Sequence, residues 1–291
     1  MLFRSGGGRK ILITGATGTL GNAFARICDV RGLPYCLTSR AELDICDDES
    51  IRAAIAHHRP WAIINTAGFV RVADAERERE ACLSANAAGP EKLARACEEA
   101  GLPLVTFSSD LVFDGQLGRP YCETDPVKPA NVYGLSKAKA ERNVLGISDH
   151  ALVIRTSAFF GPWDKYNFAW NTLSALARGE PVEASRNSAV SPTYVPDLCH
   201  ATLDLLIDGE TGIWHLANQG KLSWYEFATQ VAEGAGYDPA LVVPIEDKPA
   251  VTALTSARGI MMRPVDDAIG EYLAGLGDDA PLPRQLDIAA E

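Results

Sequence analysis

Ile11-Leu-Ile-Thr-Gly15-Ala-Thr-Gly18-Thr-Leu-Gly21 is the stretch that decides the fold. A short apolar run leads straight into three glycines at Gly-x-x-Gly-x-x-Gly spacing, and Leu20, Phe24 and Ile27 then recur at helical intervals. Strand, glycine turn and helix in that order are what a dinucleotide needs. Gly15 permits a tight turn, Gly18 lets backbone approach a pyrophosphate, and Gly21 lets helix and strand pack closely. The helix N-terminus then turns unpaired N–H groups and a positive dipole end toward the phosphates. The cofactor-contacting residues predicted here are Gly15, Thr17, Gly18, Thr19 and Leu20.

Working outward, short apolar runs at 10–14, 35–38, 62–65, 104–108 and 151–156 alternate with helix-like stretches. Their apolar residues are consecutive rather than alternating, as in parallel strands buried on both faces. Leu93 and Cys97 follow Pro90, which suits a first helical turn. The expected fold class is α/β, a Rossmann-type doubly wound parallel sheet over residues 10–160. Beyond 160 the pattern changes to proline-punctuated helices at 168–177, 195–207 and 224–234, with a short strand at 212–217. Residues 161–291 are read as a smaller, mainly substrate-binding part, in which the segment around 190–205 returns to the main domain. Residues 1–9, basic and glycine-rich without an apolar core, are read as a disordered leader.

Composition excludes other classes. The net charge of −11 opposes nonspecific nucleic-acid binding, which relies on a basic surface. No apolar run approaches the roughly 20 residues that span a bilayer. Seven cysteines, odd in number and without a Cys-x-x-Cys, read as reduced thiols of a cytoplasmic protein. No metal site is expected: His57 and His58 are adjacent, and His150, His200 and His215 are scattered.

The tip of the second strand selects between cofactors, because an acid there binds a ribose 2′-hydroxyl and a base accommodates a 2′-phosphate. Thr38-Ser39-Arg40 favours NADPH, while Glu42 leaves NADH open. Ser39, Arg40, Asp44 and Ile45 are placed at the adenosine end. Ala67, Gly68 and Phe69 follow the third strand on the cofactor face. Asn86, polar in an apolar helical context, is expected to bond backbone rather than substrate.

Tyr133 and Lys137 lie four apart in Asn131-Val-Tyr-Gly-Leu-Ser-Lys137, so a helix stacks them on one face about 6 Å apart along its axis. A tyrosine with its usual pKa of about 10 is a reluctant acid–base group at neutral pH, and an ammonium beside it is expected to lower that value. The pair can then exchange a proton with a carbonyl or alcohol while the lysine also holds the cofactor ribose. Ser109, ending the fourth strand, comes to the edge where open α/β sheets bind ligands, and its hydroxyl can orient the reacting oxygen.

These motifs together resemble the extended short-chain dehydrogenase/reductase family, and within it the dTDP-4-dehydrorhamnose reductase group. Besides the glycine turn, the phrases that carry the likeness include Arg59-Pro-Trp-Ala-Ile-Ile-Asn65, Phe107-Ser-Ser-Asp-Leu-Val-Phe113, Asn131-Val-Tyr-Gly134, Arg155-Thr-Ser157 and Ser191-Pro-Thr-Tyr194. The resemblance implies NAD(P)H-dependent reduction of a 4-keto nucleotide sugar with Ser109, Tyr133 and Lys137 as the triad. It also implies that Ser109, Asp110, Ala158 and Asn167 lie on the substrate side. The sequence departs from the group there, with Ala158 where a tryptophan is usual and Asn187-Ser-Ala-Val190 where Asp-Gln-x-Gly is usual. Two other readings stay open: a nucleotide-sugar epimerase, and a noncatalytic cofactor-binding subunit like that of methionine adenosyltransferase. A dehydratase is disfavoured by Leu111, where a second acid would stand. The fold also allows a homodimer through its long helices.

Overall fold

The computed structural model describes residues 8–277 and 281–282. The first seven residues of the expected leader lie outside that range, and Gly8 and Arg9 are exposed just before the first strand.

The chain first runs through β1 (Ile11–Thr14), α1 (Thr19–Arg31), β2 (Tyr35–Thr38), α2 (Asp48–His58) and β3 (Ala62–Asn65). It continues through α3 (Arg79–Leu83), α4 (Gly89–Ala100), β4 (Leu104–Phe107), α5 (Val132–Leu145) and β5 (Ala151–Arg155). It then leaves the sheet for β6 (Phe159–Phe160), α6 (Phe168–Ala177), β7 (Val182–Ser185), β8 (Ser188–Val190), β9 (Thr193–Tyr194) and α7 (Val195–Asp208). After β10 (Gly212–His215) come β11 (Leu222–Ser223), α8 (Trp224–Gly234), β12 (Val242–Ile245), β13 (Ala250–Val251) and α9 (Val265–Ala274).

The main sheet has the order β10-β5-β4-β3-β1-β2, and all of its pairings are parallel. Its strands are apolar without alternation because each face has its own core. Ile11, Ile13, Ile64, Val105 and Ile154 pack with Phe24 of α1 and Leu198 of α7, whereas Leu12, Ile63, Leu104 and Val153 pack with Ile51 of α2 and Leu93 of α4. Fully burying one such side chain is worth about 1.5–3 kcal/mol, so the consecutive run is what fixes a strand in the middle layer.

One feature differs from the sequence expectation. The segment read as a strand of the smaller part, 212–217, supplies a sixth strand of the main sheet, with Ile213 opposite Val153 and His215 opposite Arg155. Pro90 stands in the first turn of α4, as expected, and α4 continues a longer helical run. α3 passes into α4 through a π-helical turn, Ser84–Ala88, and the Gly89 N–H bonds back to Ser84. The widened turn accommodates a proline with no N–H to give, and it swings Asn86 inward.

α7 lies on the main sheet against α1, where Arg31 pairs with Asp204 at 2.7 Å. The smaller part has its own core, in which Phe160, Leu173, Phe227, Ile269 and Tyr272 join α6, α8 and α9. Segment 250–255 crosses back to the main domain. Its β13 pairs with β8, Val251 N–H donates to the Gly115 carbonyl at 2.9 Å, and Tyr121 N–H donates to the Ala253 carbonyl at 2.8 Å.

Candidate active site

The parallel strands all end on one edge, and the residues singled out for the cofactor arrive there from β1, β2 and β3. Gly15 has φ +88°, a left-handed conformation that disfavours a side chain. A Cβ on Gly21 would overlap the Gly15 carbonyl, its carbon lying only 2.9 Å away, so close packing of turn and helix demands glycine. At Gly18 the protein makes no such demand, since an added Cβ would meet nothing nearer than that carbonyl oxygen at 3.4 Å. No side chain caps α1 and its first turn holds no acid. Those N–H groups are left for an anion. Asn22, absent from the sequence reading, braces the turn by donating to the Ala16 and Gly18 carbonyls at 2.8 Å each.

At the tip of β2, Glu42 is occupied. Its carboxylate accepts from the Ser39 N–H and hydroxyl at 2.8 Å each, and those bonds hold it below the usual carboxylate range. Arg40 is exposed and meets Asp44 at 3.2 Å. Ile45, expected near the adenine, gives its side chain to the core beside Leu93, so only backbone is left there for a ligand. Thr14 Oγ1 donates to Asn65 Oδ1 at 2.8 Å and accepts from the N–H groups of Thr66 and Ala67, fixing the loop that carries Gly68 and Phe69. Asn86 closes that loop, as a backbone-bonding residue should: Nδ2 donates to the Phe69 carbonyl and Oδ1 accepts its N–H. Asn86 also donates to Ser136 Oγ, which donates to the Tyr133 carbonyl at 2.6 Å. Cofactor loop and catalytic helix are thereby tied together.

α5 starts at Asn131, whose side chain caps the Gly134 N–H at 2.7 Å. A Cβ on Gly134 would collide with the Leu111 carbonyl, so the helix can press against the turn that follows Ser109. Lys137 donates to the Phe107 carbonyl at 3.0 Å and lies 5.7 Å from the centre of the Tyr133 ring. Burial pulls the Lys137 ammonium down to about 8. Tyr133 moves opposite to expectation. Burial, the largest cause, pushes its phenol far above the ordinary value, Asp110 and Cys82 add to it where they ionise, and the lysine, engaged with a carbonyl, does not offset the rise.

Ser109 and Asp110 sit together beyond β4. The Ser109 hydroxyl accepts from the Leu111 N–H at 3.1 Å and lies 3.0 Å from Asp110 Oδ1. Asp110 Oδ2 accepts from the Thr252 hydroxyl at 2.6 Å. Burial raises the Asp110 carboxyl against the pull of the Thr252, Ser157 and Ser109 hydroxyls. Nothing in the local sequence pointed to Thr252, which arrives from the 250–255 segment.

Ala158, just past β5, holds φ +41°, an uncommon conformation for a residue with a Cβ, and its carbonyl accepts from the Thr193 N–H at 3.1 Å. Asn167, placed on the substrate side in sequence, is the N-cap of α6. Its oxygen accepts from the Trp170 N–H, and its nitrogen donates to the Asp164 and Gly161 carbonyls. Asn187 likewise donates to Glu246 and to the Asp247 carbonyl, and residues 188–190 form β8.

Behind the site, Arg155 makes a two-pronged pair with Glu141 of α5, at 2.8 and 2.7 Å, and reaches His215 Nε2 at 3.2 Å. His215 Nδ1 faces the Thr255 and Tyr121 carbonyls, so it carries the ring proton while Nε2 accepts from the arginine. Burial keeps this imidazole neutral. In sequence Arg155 stands only within the Arg155-Thr-Ser157 phrase and His215 only among scattered histidines, with no role for either or for Glu141.

Comparison with known proteins agrees with the geometry. The family model described as RmlD substrate binding domain matches residues 9–263. A dTDP-4-dehydrorhamnose reductase of Streptomyces griseus is 34% identical over 239 residues, covering 80% of this chain and 78% of its own. A dTDP-4-keto-6-deoxy-D-glucose reductase of Streptomyces niveus is 34% identical over 237 residues, covering 80% and 81%. Among solved structures, dTDP-4-dehydrorhamnose reductase of Bacillus anthracis in complex with NADP superposes with TM-score 0.85 at 26% identity, over 91% of this chain and 98% of that one.

Proposed function

The chain belongs to the RmlD substrate-binding-domain family, and from that membership we propose that it is an NADPH-dependent reductase of a nucleotide-linked 4-keto sugar, with Tyr133 as proton donor. The observation that carries the reading is that Lys137 meets both Tyr133 and the end of β4, two residues before Ser109, beside the loop of Gly68.

The residues present fit a nicotinamide dinucleotide. Gly18 and the uncapped start of α1 take the pyrophosphate, Arg40 the 2′-phosphate, Lys137 the ribose hydroxyls, and Gly68 in the loop beside Lys137 the adjoining face of the cofactor. A reduced nicotinamide, when bound, supplies a hydride for the carbonyl carbon. Ser109 and Tyr133 then act on the carbonyl oxygen. Tyr133 is suited to reduction because its raised phenol stays protonated at neutral pH and has a proton to give as the alkoxide forms. Lys137, near the ring but not neutralising it, limits the cost of the phenolate left behind.

The test mixes the protein with NADPH and dTDP-4-keto-6-deoxy sugars and follows loss of the reduced-nicotinamide absorbance. Turnover that requires Tyr133 supports the reading. Tight NADPH binding with no turnover on any keto sugar would replace it with a noncatalytic, cofactor-binding role.

A further inference from the structure

Asp110 is buried, with 6% of its surface exposed, and no cation pairs with it among the described residues. Lys137 is engaged with the Phe107 carbonyl and Arg155 with Glu141. A carboxylate in such a place pays a heavy desolvation cost that hydroxyl donors only partly offset. Both of its oxygens are nevertheless specifically placed, Oδ2 against the Thr252 hydroxyl at 2.6 Å and Oδ1 against Ser109 Oγ at 3.0 Å.

A hydroxyl has one proton and two acceptor positions. One acceptor position of Ser109 is filled by the Leu111 N–H. If Asp110 is a carboxylate, the single serine proton is spent on Oδ1 and none is left for a ketone oxygen. If Asp110 is protonated on Oδ1, the same 3.0 Å contact runs the other way: the acid donates to Ser109, fills its second acceptor position, and leaves the serine proton pointing at the ligand. With the Thr252 hydroxyl donating to Oδ2, that atom is the bare carbonyl and the proton stands on Oδ1, facing Ser109.

We propose that Asp110 is a positioning residue that works as a neutral acid, and that Thr252, reaching across from segment 250–255, fixes its proton toward Ser109 so that the serine donates to the substrate oxygen. The proposal rests on the reductase reading and names the hydrogen-bond relay within it: Asp110 O–H to Ser109 Oγ, Ser109 O–H to the carbonyl. A neutral Asp110 also spares the phenolate of Tyr133 a facing negative charge. The other titratable groups around this corner are Lys137 and Cys82 beside Tyr133, and the Glu141–Arg155 pair behind Lys137. None of them is hydrogen-bonded to Asp110.

Asparagine reproduces the neutral acid, with an amide N–H for Ser109 and an oxygen for Thr252. Asp110→Asn is therefore expected to keep kcat within about fivefold of wild type, whereas Asp110→Ala loses on the order of a hundredfold with KM little changed. Ionisation of Asp110 adds to the alkaline fall of wild-type kcat that Lys137 also brings as it discharges near pH 8, and in Asp110→Asn only the Lys137 contribution is left. Thr252→Ser keeps activity, and Thr252→Val loses about tenfold in kcat. The substrate-free arm is infrared difference spectroscopy with labelled aspartate. A protonated-carboxyl band at neutral pH, absent in Asp110→Asn and shifted in Thr252→Val, supports the relay; its absence from the wild-type protein overturns it, as does an Asp110→Asn that falls as far as Asp110→Ala. Were Asp110→Asn not to fold, the wild-type band and its shift in Thr252→Val decide alone. If no keto sugar is reduced by the wild-type protein, the reductase reading fails while the band still decides the state of Asp110.

Discussion

The two walls of the cleft are built on opposite plans. On the cofactor side the chain leaves its backbone open: α1 begins without a capping side chain, Gly18 stands clear of its neighbours, and Arg40 reaches into solvent. On the other side several carboxamides and hydroxyls are tied to groups distant in sequence, while the hydroxyls of Thr156, Thr172 and Tyr272 are buried without a hydrogen-bond partner among the described residues. Asn167 caps α6, Asn187 holds residues 246–247, Asn218 donates to Asp197 and the Arg263 carbonyl, and Thr252 is bound to Asp110. An open wall built of short-range geometry receives a ligand that many folds share. A wall whose groups are paired across long stretches of sequence is held by tertiary contacts, and Asn187 and Thr252 join segments 59 and 142 residues apart.

The strongest way to break this contrast is Tyr133→Phe. Turnover is expected to fall by about a thousandfold while the dissociation constant for NADPH stays within a few-fold, since general acid catalysis is worth roughly 10²–10⁴. Steady-state kinetics with fluorescence titration of the cofactor checks it, and retained turnover removes Tyr133 from its role. Next comes the joint between the walls. Glu141→Gln leaves the buried Arg155 without its counter-charge, and a loss of about 3–5 kcal/mol in denaturant unfolding is expected. A loss below about 1 kcal/mol would mean that the pair is solvated.

A smaller effect sharpens the cofactor side. Arg40→Ala is expected to weaken NADPH about tenfold and NADH hardly at all, one charge-assisted contact being worth about 1.5–3 kcal/mol at most. Equal loss for both cofactors would place the 2′-phosphate elsewhere. The pH dependence of binding follows from Lys137. Its ammonium lies below the ordinary lysine value, at about 8, so it is charged below that pH and discharges above it. Affinity for the dinucleotide should therefore weaken as pH rises through about 8, and Lys137→Met should flatten the curve. The smallest expected change is at Ala158, where glycine relieves a left-handed backbone and should raise stability by up to roughly 1 kcal/mol, read by thermal unfolding.

How much of this could be read from sequence follows the same division. The glycine turn, the buried strands and Tyr133 with Lys137 are local patterns, each set by residues within a turn or two of one another; Asn86 was legible as a backbone-bonding residue from its apolar surroundings, but its partners Phe69 and Ser136, in other segments, were not. The direction of the Tyr133 shift was not, because it depends on burial and on Asp110 and Cys82, which come from other elements. Thr252 and the Arg155–His215 contact were invisible for the same cause, and β10 lies far along the chain from the strand it pairs with. The capping role of Asn167 was not legible either, because a carboxamide at a helix start serves as a cap as readily as it serves a ligand.

The crossing of segment 250–255 has a consequence for how the molecule is made. Asp110 and Thr252 are 142 positions apart, and a ribosome delivers them in that order. All six strands of the main sheet have been synthesised once residue 215 has emerged, long before Thr252 leaves the exit tunnel. During that interval a nascent chain holds every element of the dinucleotide cradle while Asp110 still lacks the hydroxyl that orients it. The segments of the proposed coenzyme cradle are thus available early in translation, and the corner proposed to activate the carbonyl is among the last things the chain completes.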